Sequence, residues 1–237
     1  MTARFHVRVG GDFTCITDPN LKVERVSYPV MTPGAARGLL EAIFWKPAFR
    51  WEVRHITVIK PIKTLSVMRN EIEDRQGEKP IVIERKRQQR VSLILKDVEY
   101  VIAADIAMVW TQERIEKYIE QFERKLARGA FHHTPYLGNR EFAAWFEPAS
   151  GKEQPADVIT TELGLMLFDT AYVQSSARPN IRFHRHSFAS DPLLKSNPVV
   201  EQGYQHYLFF DAALKESRLI VPPEKYEELY TLEGIHV

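Results

Sequence analysis

Two histidine pairs are the densest groups in the chain able to bind a metal or move a proton: His132-His133 and His184-Arg185-His186. Neither has a carboxylate or thiol at ligand spacing. Neighbouring strand residues point to opposite faces, so His184 and His186 share a face and could reach a common ion. Two exposed strand histidines are ordinarily just surface, and no metal site or other cofactor is expected. Cys15 is the single cysteine, which excludes an intrachain disulfide framework and reads as a packed small residue. Gly10-Gly11 lacks the further glycines of a phosphate or dinucleotide loop, and no nucleophile-elbow sequence occurs. The run Glu84-Arg85-Lys86-Arg87-Gln88-Gln89-Arg90 is the densest basic cluster, either a solvated loop or a grip for phosphates.

The composition narrows what these groups serve. The chain has 237 residues, 44% of them hydrophobic, enough for one domain or two small ones with a real core. Net charge is only +1, which argues against a histone-like, whole-surface mode of nucleic-acid binding. Any such site must be built from local clusters. No apolar run is long enough to span a bilayer and no signal-peptide pattern opens the chain, so a cytoplasmic protein without membrane contact is expected.

The elements that must position these residues can be read in order. Phe5, Val7 and Val9 alternate with His6 and Arg8 as a half-buried strand, which Gly10-Gly11 are expected to break. Asp18-Pro19-Asn20 reads as a turn. Thr32 can cap a helix, Pro33 suits its first position, and Ala36, Leu39, Leu40 and Ile43 form its apolar stripe. Lys46-Pro47 ends it. Gly38 costs about 1 kcal/mol of helix propensity and suggests close approach by a neighbouring element or an RNA backbone. A strand runs from Trp51 to Ile59. Residues 91–95 and 98–109 have strand pattern around an expected turn at Lys96-Asp97. A second helix spans about Gln112 to Arg128, with Ile115, Tyr118, Ile119, Phe122 and Leu126 inward and Lys117 on the polar side. Gly129 stops it. A loop rich in aromatic and imidazole groups follows to Gly138, then a short strand over 141–147. The polar stretch Gly151–Ala156 suggests a boundary. Beyond it, 163–168, 181–188 and 205–210 read as strands, and the tail from Ser217 to Leu232 ends in a charged helix. The class is α+β. Residues 1–148 read as a ferredoxin-like (RRM-like) domain with an antiparallel sheet and two helices, and 149–237 as a smaller β-rich domain.

Four stretches carry a resemblance: GDFTCITDPNLKVERVSYPVMTPGAARGLLEAIFWKP, RQQRVSLILKDVEYVI, FERKLARGAFHHTPYLGNREF and ELGLMLFD, in order from Gly11 to Asp169. The chain resembles the CRISPR-associated subtype I-C (Dvulg) endoribonucleases of the RAMP superfamily. The resemblance implies cleavage of precursor CRISPR RNA within each repeat, near the base of the repeat hairpin. It also implies retention on the 5′ handle of the guide RNA, beside the backbone and large subunits of the type I-C interference complex. Such cleavage can use the RNA's own 2′-hydroxyl, leaving a 2′,3′-cyclic phosphate without a metal. The protein then supplies a proton acceptor, a cation for the crowded phosphorane and an acid for the leaving 5′-oxygen.

In that family the chemistry resembles a Tyr, Lys, His group. Here Phe44 stands at the tyrosine position and Lys117-Tyr118 match the Lys-His pair. Lys117 is expected to hold the phosphorane charge, and Tyr118 to act as acid, base or positioning group. His133 follows the second helix and could supply the missing base. Lys22, Arg25, Tyr28, Arg37, Phe44, Arg85, Arg87, Arg90 and His132 are expected to contact RNA, and Tyr28 is a second candidate hydroxyl. The rival reading, raised by Phe44 and Tyr118, is a non-catalytic subunit that binds the 5′ handle, and duplex DNA through the Arg85–Arg90 cluster is a further partner to weigh.

Overall fold

The computed structural model describes residues 4–21, 23–74, 77, 80–109, 113–186 and 198–235. The elements in chain order are β1 (Phe5–Thr14), α1 (Pro33–Ile43), β2 (Phe49–Val58), β3 (Thr64–Ile72), α2 (Ile83–Lys86), β4 (Arg87–Met108) and α3 (Ile115–Ala127). After them come β5 (Trp145–Pro148), β6 (Thr161–Gln174), β7 (Ile181–Arg185), β8 (Val199–Lys215), β9 (Arg218–Ile220) and α4 (Glu224–Glu233). Nine strands form one antiparallel sheet in the order β5-β1-β4-β2-β9-β8-β6, with β3 paired to β4 and β7 to β8. The architecture is thus a mixed one, helices on a large antiparallel sheet. None of the described helices is long and apolar enough to cross a membrane.

α1 starts where its cap residues require. Thr32 is extended and its hydroxyl accepts from the Ala35 amide at 3.3 Å, with Pro33 next in the first turn. Its end is pinned from the sheet, because the Trp51 indole N–H donates to the Phe44 carbonyl at 2.9 Å. α3 buries Tyr118, Phe122 and Leu126 at four-residue spacing. The rings of Phe5, Trp51 and Phe122 meet edge to face, at centroid distances of 5.6, 5.0 and 4.6 Å. The same buried cluster continues through Phe168, Phe210 and Leu214 to α4. There the Tyr226 hydroxyl accepts from the Val53 amide at 2.6 Å, at the irregularity in β2 between Val53 and His55. A bulge frees backbone groups, and a tyrosine from the far end of the chain satisfies them.

Three local expectations fail for identifiable reasons. Gly10-Gly11 do not break β1, which runs on to Thr14. A side chain at Gly10 would strike the Trp145 indole, and one at Gly11 would strike Leu137, so the glycines make room for neighbours rather than for a turn. Lys96-Asp97 is not a turn either. β4 passes through it, with Asp97 at φ 54 and its carboxylate held by Lys60 at 2.7 Å and Lys63 at 3.1 Å. A short polar residue tolerates the left-handed region, and here the ion pairs hold it there. Finally, among the described residues no neighbouring element packs on Gly38, where an added Cβ would meet no atom within 4 Å. The close approach occurs one turn earlier, where a Cβ at Gly34 would lie 3.0 Å from the Asp169 carboxylate.

Candidate active site at the end of the first helix

Three residues at the start of α3, Glu113, Lys117 and Tyr118, form a compact polar group. Tyr118 belongs to the apolar stripe and is 3% exposed, but its hydroxyl reaches the edge and donates to the Glu113 carboxylate. The Lys117 ammonium donates to the same carboxylate oxygen at 3.1 Å and lies 5.2 Å from the centre of the Tyr118 ring. Lys117 is mostly exposed, and with Arg114 and Glu120 it borders an open hollow. Burial, then the hydrogen bond and charge of Glu113, push the Tyr118 hydroxyl well above its ordinary value. At neutral pH it is therefore a protonated donor whose hydrogen is committed to Glu113. What this group presents outward is a cation and a carboxylate.

Phe44 closes the group from behind. Its ring is 3% exposed, stacks on Phe49 at 5.5 Å and lies 6.5 Å from Tyr118. It packs in the core instead of facing a ligand. His132 and His133 come to the same helix end, since both backbone amides donate to the Ala42 carbonyl at 2.9 Å. That carbonyl lies in the last turn of α1, where no helical partner is available to it. Both imidazoles are exposed, with ring centres 4.2 Å apart. The end of α1 thus gathers Phe44, the first turn of α3 and the histidine loop. Among the described residues no three His, Cys, Asp or Glu side chains gather as a metal would require.

The remaining expected residues lie elsewhere. Lys22 is outside the described residues, as is the side chain of Arg85. Tyr28 is 7% exposed, and its hydroxyl accepts from the Leu167 amide. Burial and the nearby Asp18 push it up to about 12. Arg37 is clamped by Asp169 at 2.6 and 2.8 Å and by Glu41 at 2.6 Å. Arg25, Arg87 and Arg90 belong with the ribbon that β3 and β4 make. Arg25 pairs with Glu71 at 3.2 Å and Glu141 at 3.8 Å, and Arg90 lies 3.8 Å from Glu71 and bonds the Val23 carbonyl. Arg87 is exposed opposite Ile72 with no ion pair among the described residues.

Reading the sequence missed Glu113, although a glutamate four residues before a lysine is a favourable helical pairing and was visible. It also missed Asp169, Glu71 and Glu141, the carboxylates that engage Arg37 and Arg25. Those partners are distant in sequence, and nothing local announces them.

Comparison with known proteins assigns the chain to a family. A family model described as "CRISPR-associated protein (Cas_Cas5)", the Cas5d group, matches residues 6–191. A protein from Thermus thermophilus named CRISPR pre-crRNA endoribonuclease Cas5d is 49% identical over 235 residues, covering 99% of this chain and 98% of that one. One of the same name from Mannheimia succiniciproducens is 40% identical over 192 residues, covering 71% and 85%. A solved structure titled as a CRISPR-associated protein superposes with a TM-score of 0.62 at 20% identity over 93% of this chain and 92% of its own. A Streptococcus mutans protein described as functionally uncharacterized does so with 0.61 at 18% over 93% of both chains. Both share the fold. The chain belongs to the Cas5d family of CRISPR-associated proteins.

Proposed function

We propose that this chain is an endoribonuclease that cleaves precursor CRISPR RNA within the repeat and needs no metal to do so. The observation that carries the activity is the 49% identity, over nearly the whole of both chains, to a protein named for it. The chemistry proposed is attack by the RNA's 2′-hydroxyl on the adjacent phosphate. Lys117 faces the developing phosphorane charge. Glu113, the carboxylate shared by Lys117 and Tyr118, accepts the 2′-hydroxyl proton, and Tyr118 holds it in position through its hydrogen bond. His133, whose backbone amide donates to the Ala42 carbonyl at the end of α1, serves as the acid for the leaving oxygen. The product is a 2′,3′-cyclic phosphate.

The fold supports a ferredoxin-like reading of residues 1–148. β1, β2, β4 and β5 follow one another as β5-β1-β4-β2, with α1 between β1 and β2 and α3 between β4 and β5. Residues 149–237 are then the smaller β-rich part. The ribbon of β3 and β4, with Arg87 exposed near its end, is suited to phosphates of the repeat hairpin. The protein then stays on the 5′ handle of the guide RNA as a subunit of the interference complex.

Cleavage of the cognate repeat RNA in EDTA tests this reading. The wild-type protein is expected to cut, a 2′-deoxy nucleotide at the cut site to abolish cutting, and Lys117→Ala to slow it by about 10²–10³. One observation favours a second reading, a non-catalytic handle-binding subunit: Phe44 has no hydroxyl and is buried where the family has a tyrosine. Wild-type protein that binds the repeat tightly and never cuts it would decide for that alternative.

A further inference from the structure

Phe44 and Trp45 are consecutive, and the backbone at Phe44 is extended, with φ −152 and ψ 119. Their side chains therefore point to opposite sides. Phe44 faces α3. Trp45 faces the other way, into a pocket of about 420 Å³ between the end of α1, β7 and α4. That volume lies in the ordinary range for ligand sites, roughly 300–1,000 Å³. Nothing in the catalytic reading uses it.

The walls are aromatic. The Trp45 and His186 rings are 5.0 Å apart and tilted by 59°, and Tyr172 and Phe183 are 5.7 Å apart. Its charge is mostly positive, since the lining holds four arginines and one acidic side chain, Glu233. Two of those arginines are structural. Arg37 is held by Asp169 and Glu41, and Arg185 bonds the carbonyls of Glu233 and Tyr172 and pairs with Glu201. Arg182 is different. It is exposed on β7, and among the described residues neither it nor His184 has an ion pair or side-chain hydrogen bond. His186 also has an unused polar atom, its buried Nδ1, which has no hydrogen-bond partner among the described residues. Flat rings, an uncommitted cation at the rim and an unmet buried nitrogen fit a ligand with a planar face, polar edges and a negative charge.

We propose that this pocket takes one unpaired nucleotide of the bound RNA, its base against Trp45 and His186 and its phosphate at Arg182. The proposal rests on the RNA-processing reading above. Its chemistry is that of single-stranded recognition, in which aromatic rings stack on a base and arginine meets the backbone. Because Phe44 and Trp45 are adjacent, an RNA strand crossing the end of α1 would have one nucleotide fixed next to the cleavage group. The pocket would then set which phosphate reaches Lys117.

The test is binding of the cognate repeat RNA by full-length wild-type, Trp45→Ala and Arg182→Glu proteins, using RNAs with an abasic nucleotide moved along the unpaired flanks. The expected result is a rise in Kd of at least tenfold for each variant. One abasic position should weaken the wild type similarly and have no further effect in Trp45→Ala, since the two changes remove the same contact. Kd values within twofold of wild type for both variants, or abasic losses additive with Trp45→Ala at every position, would overturn the proposal. If Trp45→Ala lowers the melting temperature, Arg182→Glu and Trp45→Phe carry the comparison, with Trp45→Phe expected to retain most of the affinity. Wild-type protein that binds but does not cut would sink the nuclease reading alone, because the affinities still report on the pocket. Wild-type protein that neither binds nor cuts the repeat would sink both.

Discussion

The end of α1 and the ribbon of β3 and β4 use similar side chains in opposite ways. Around Phe44, rings from α1, β2 and α3 pack on one another, and the few polar atoms have fixed partners. On the ribbon, Met68 and Val91 face each other across the strands and remain 66% and 50% exposed. Its charges pair at the surface with groups from the ribbon and from nearby loops, as Arg69 does with Glu141 of the loop before β5 at 2.7 Å. Chemistry on a phosphate needs groups held to a fraction of an ångström, which a packed core supplies. Gripping a nucleic-acid backbone needs charge and reach, which an exposed ribbon supplies. The two regions divide these tasks.

Substitutions can break or sharpen that contrast. The largest effect is expected from Phe122→Ala, which leaves a cavity among Phe5, Trp51 and Phe44. It should cost about 3–5 kcal/mol of stability in denaturant unfolding. A loss below 1 kcal/mol would mean that the helix end is as loosely held as the ribbon. Tyr118→Phe keeps the ring and removes only the hydrogen bond to Glu113. The activation barrier is expected to rise by about 1.5–3 kcal/mol, with KM unchanged and a shifted pH profile, because the hydroxyl orients a base without touching RNA.

Burial should also show in the pH dependence. His55, half-buried in β2, is pushed down to about 4 by burial and by the positive charges of Arg218 and His6. Its folded value lies below its unfolded value of about 6.5, so the unfolded chain binds more protons between the two. Stability should fall as pH drops through that window. His55→Gln should flatten the fall by an amount of order 1–2 kcal/mol after allowance for solvent screening. An unchanged slope would place the cause in other groups. On the ribbon, Arg87→Ala should weaken RNA binding modestly and lower its salt slope by about one, with cleavage at saturating RNA little affected. The smallest effect is expected from Met68→Ser, within about 0.5 kcal/mol of stability. A larger loss would show that the ribbon's outer face is covered in solution.

The same contrast explains what could be read in advance. α1 was legible because its signals are local: Thr32, Pro33 and a four-residue stripe act within a few residues of where they stand. The break expected at Gly10-Gly11 and the turn expected at Lys96-Asp97 were not, because Trp145, Leu137, Lys60 and Lys63 come from distant parts of the chain. At the site, Lys117 and Tyr118 could be found by resemblance and Glu113 by spacing. The burial of Phe44 and the opposite outlook of Trp45 could not, since both depend on how α3 and β7 are brought to the end of α1. Glu71 and Glu141, which pair with Arg25, and Asp169, which clamps Arg37, are remote in sequence, whereas Glu41 stands one helical turn from Arg37 and was within reach of spacing alone.

β4 belongs to both regions at once. Its 22 residues, about 70 Å if straight, begin among the exposed ribbon residues and end between β1 and β2 in the middle of the sheet. A single strand therefore crosses from solvent to core, with Asp97 and its two lysines at the crossing. Amide hydrogen exchange along it should step rather than drift, fast before Asp97 and slow after it. Load placed on the ribbon by a bound strand would be delivered along β4 as along a rod held at one end, reaching the part of the sheet that carries α1 and α3. Strand and anchor are one piece of backbone, so a pull at the tip needs no separate relay to be felt at the centre.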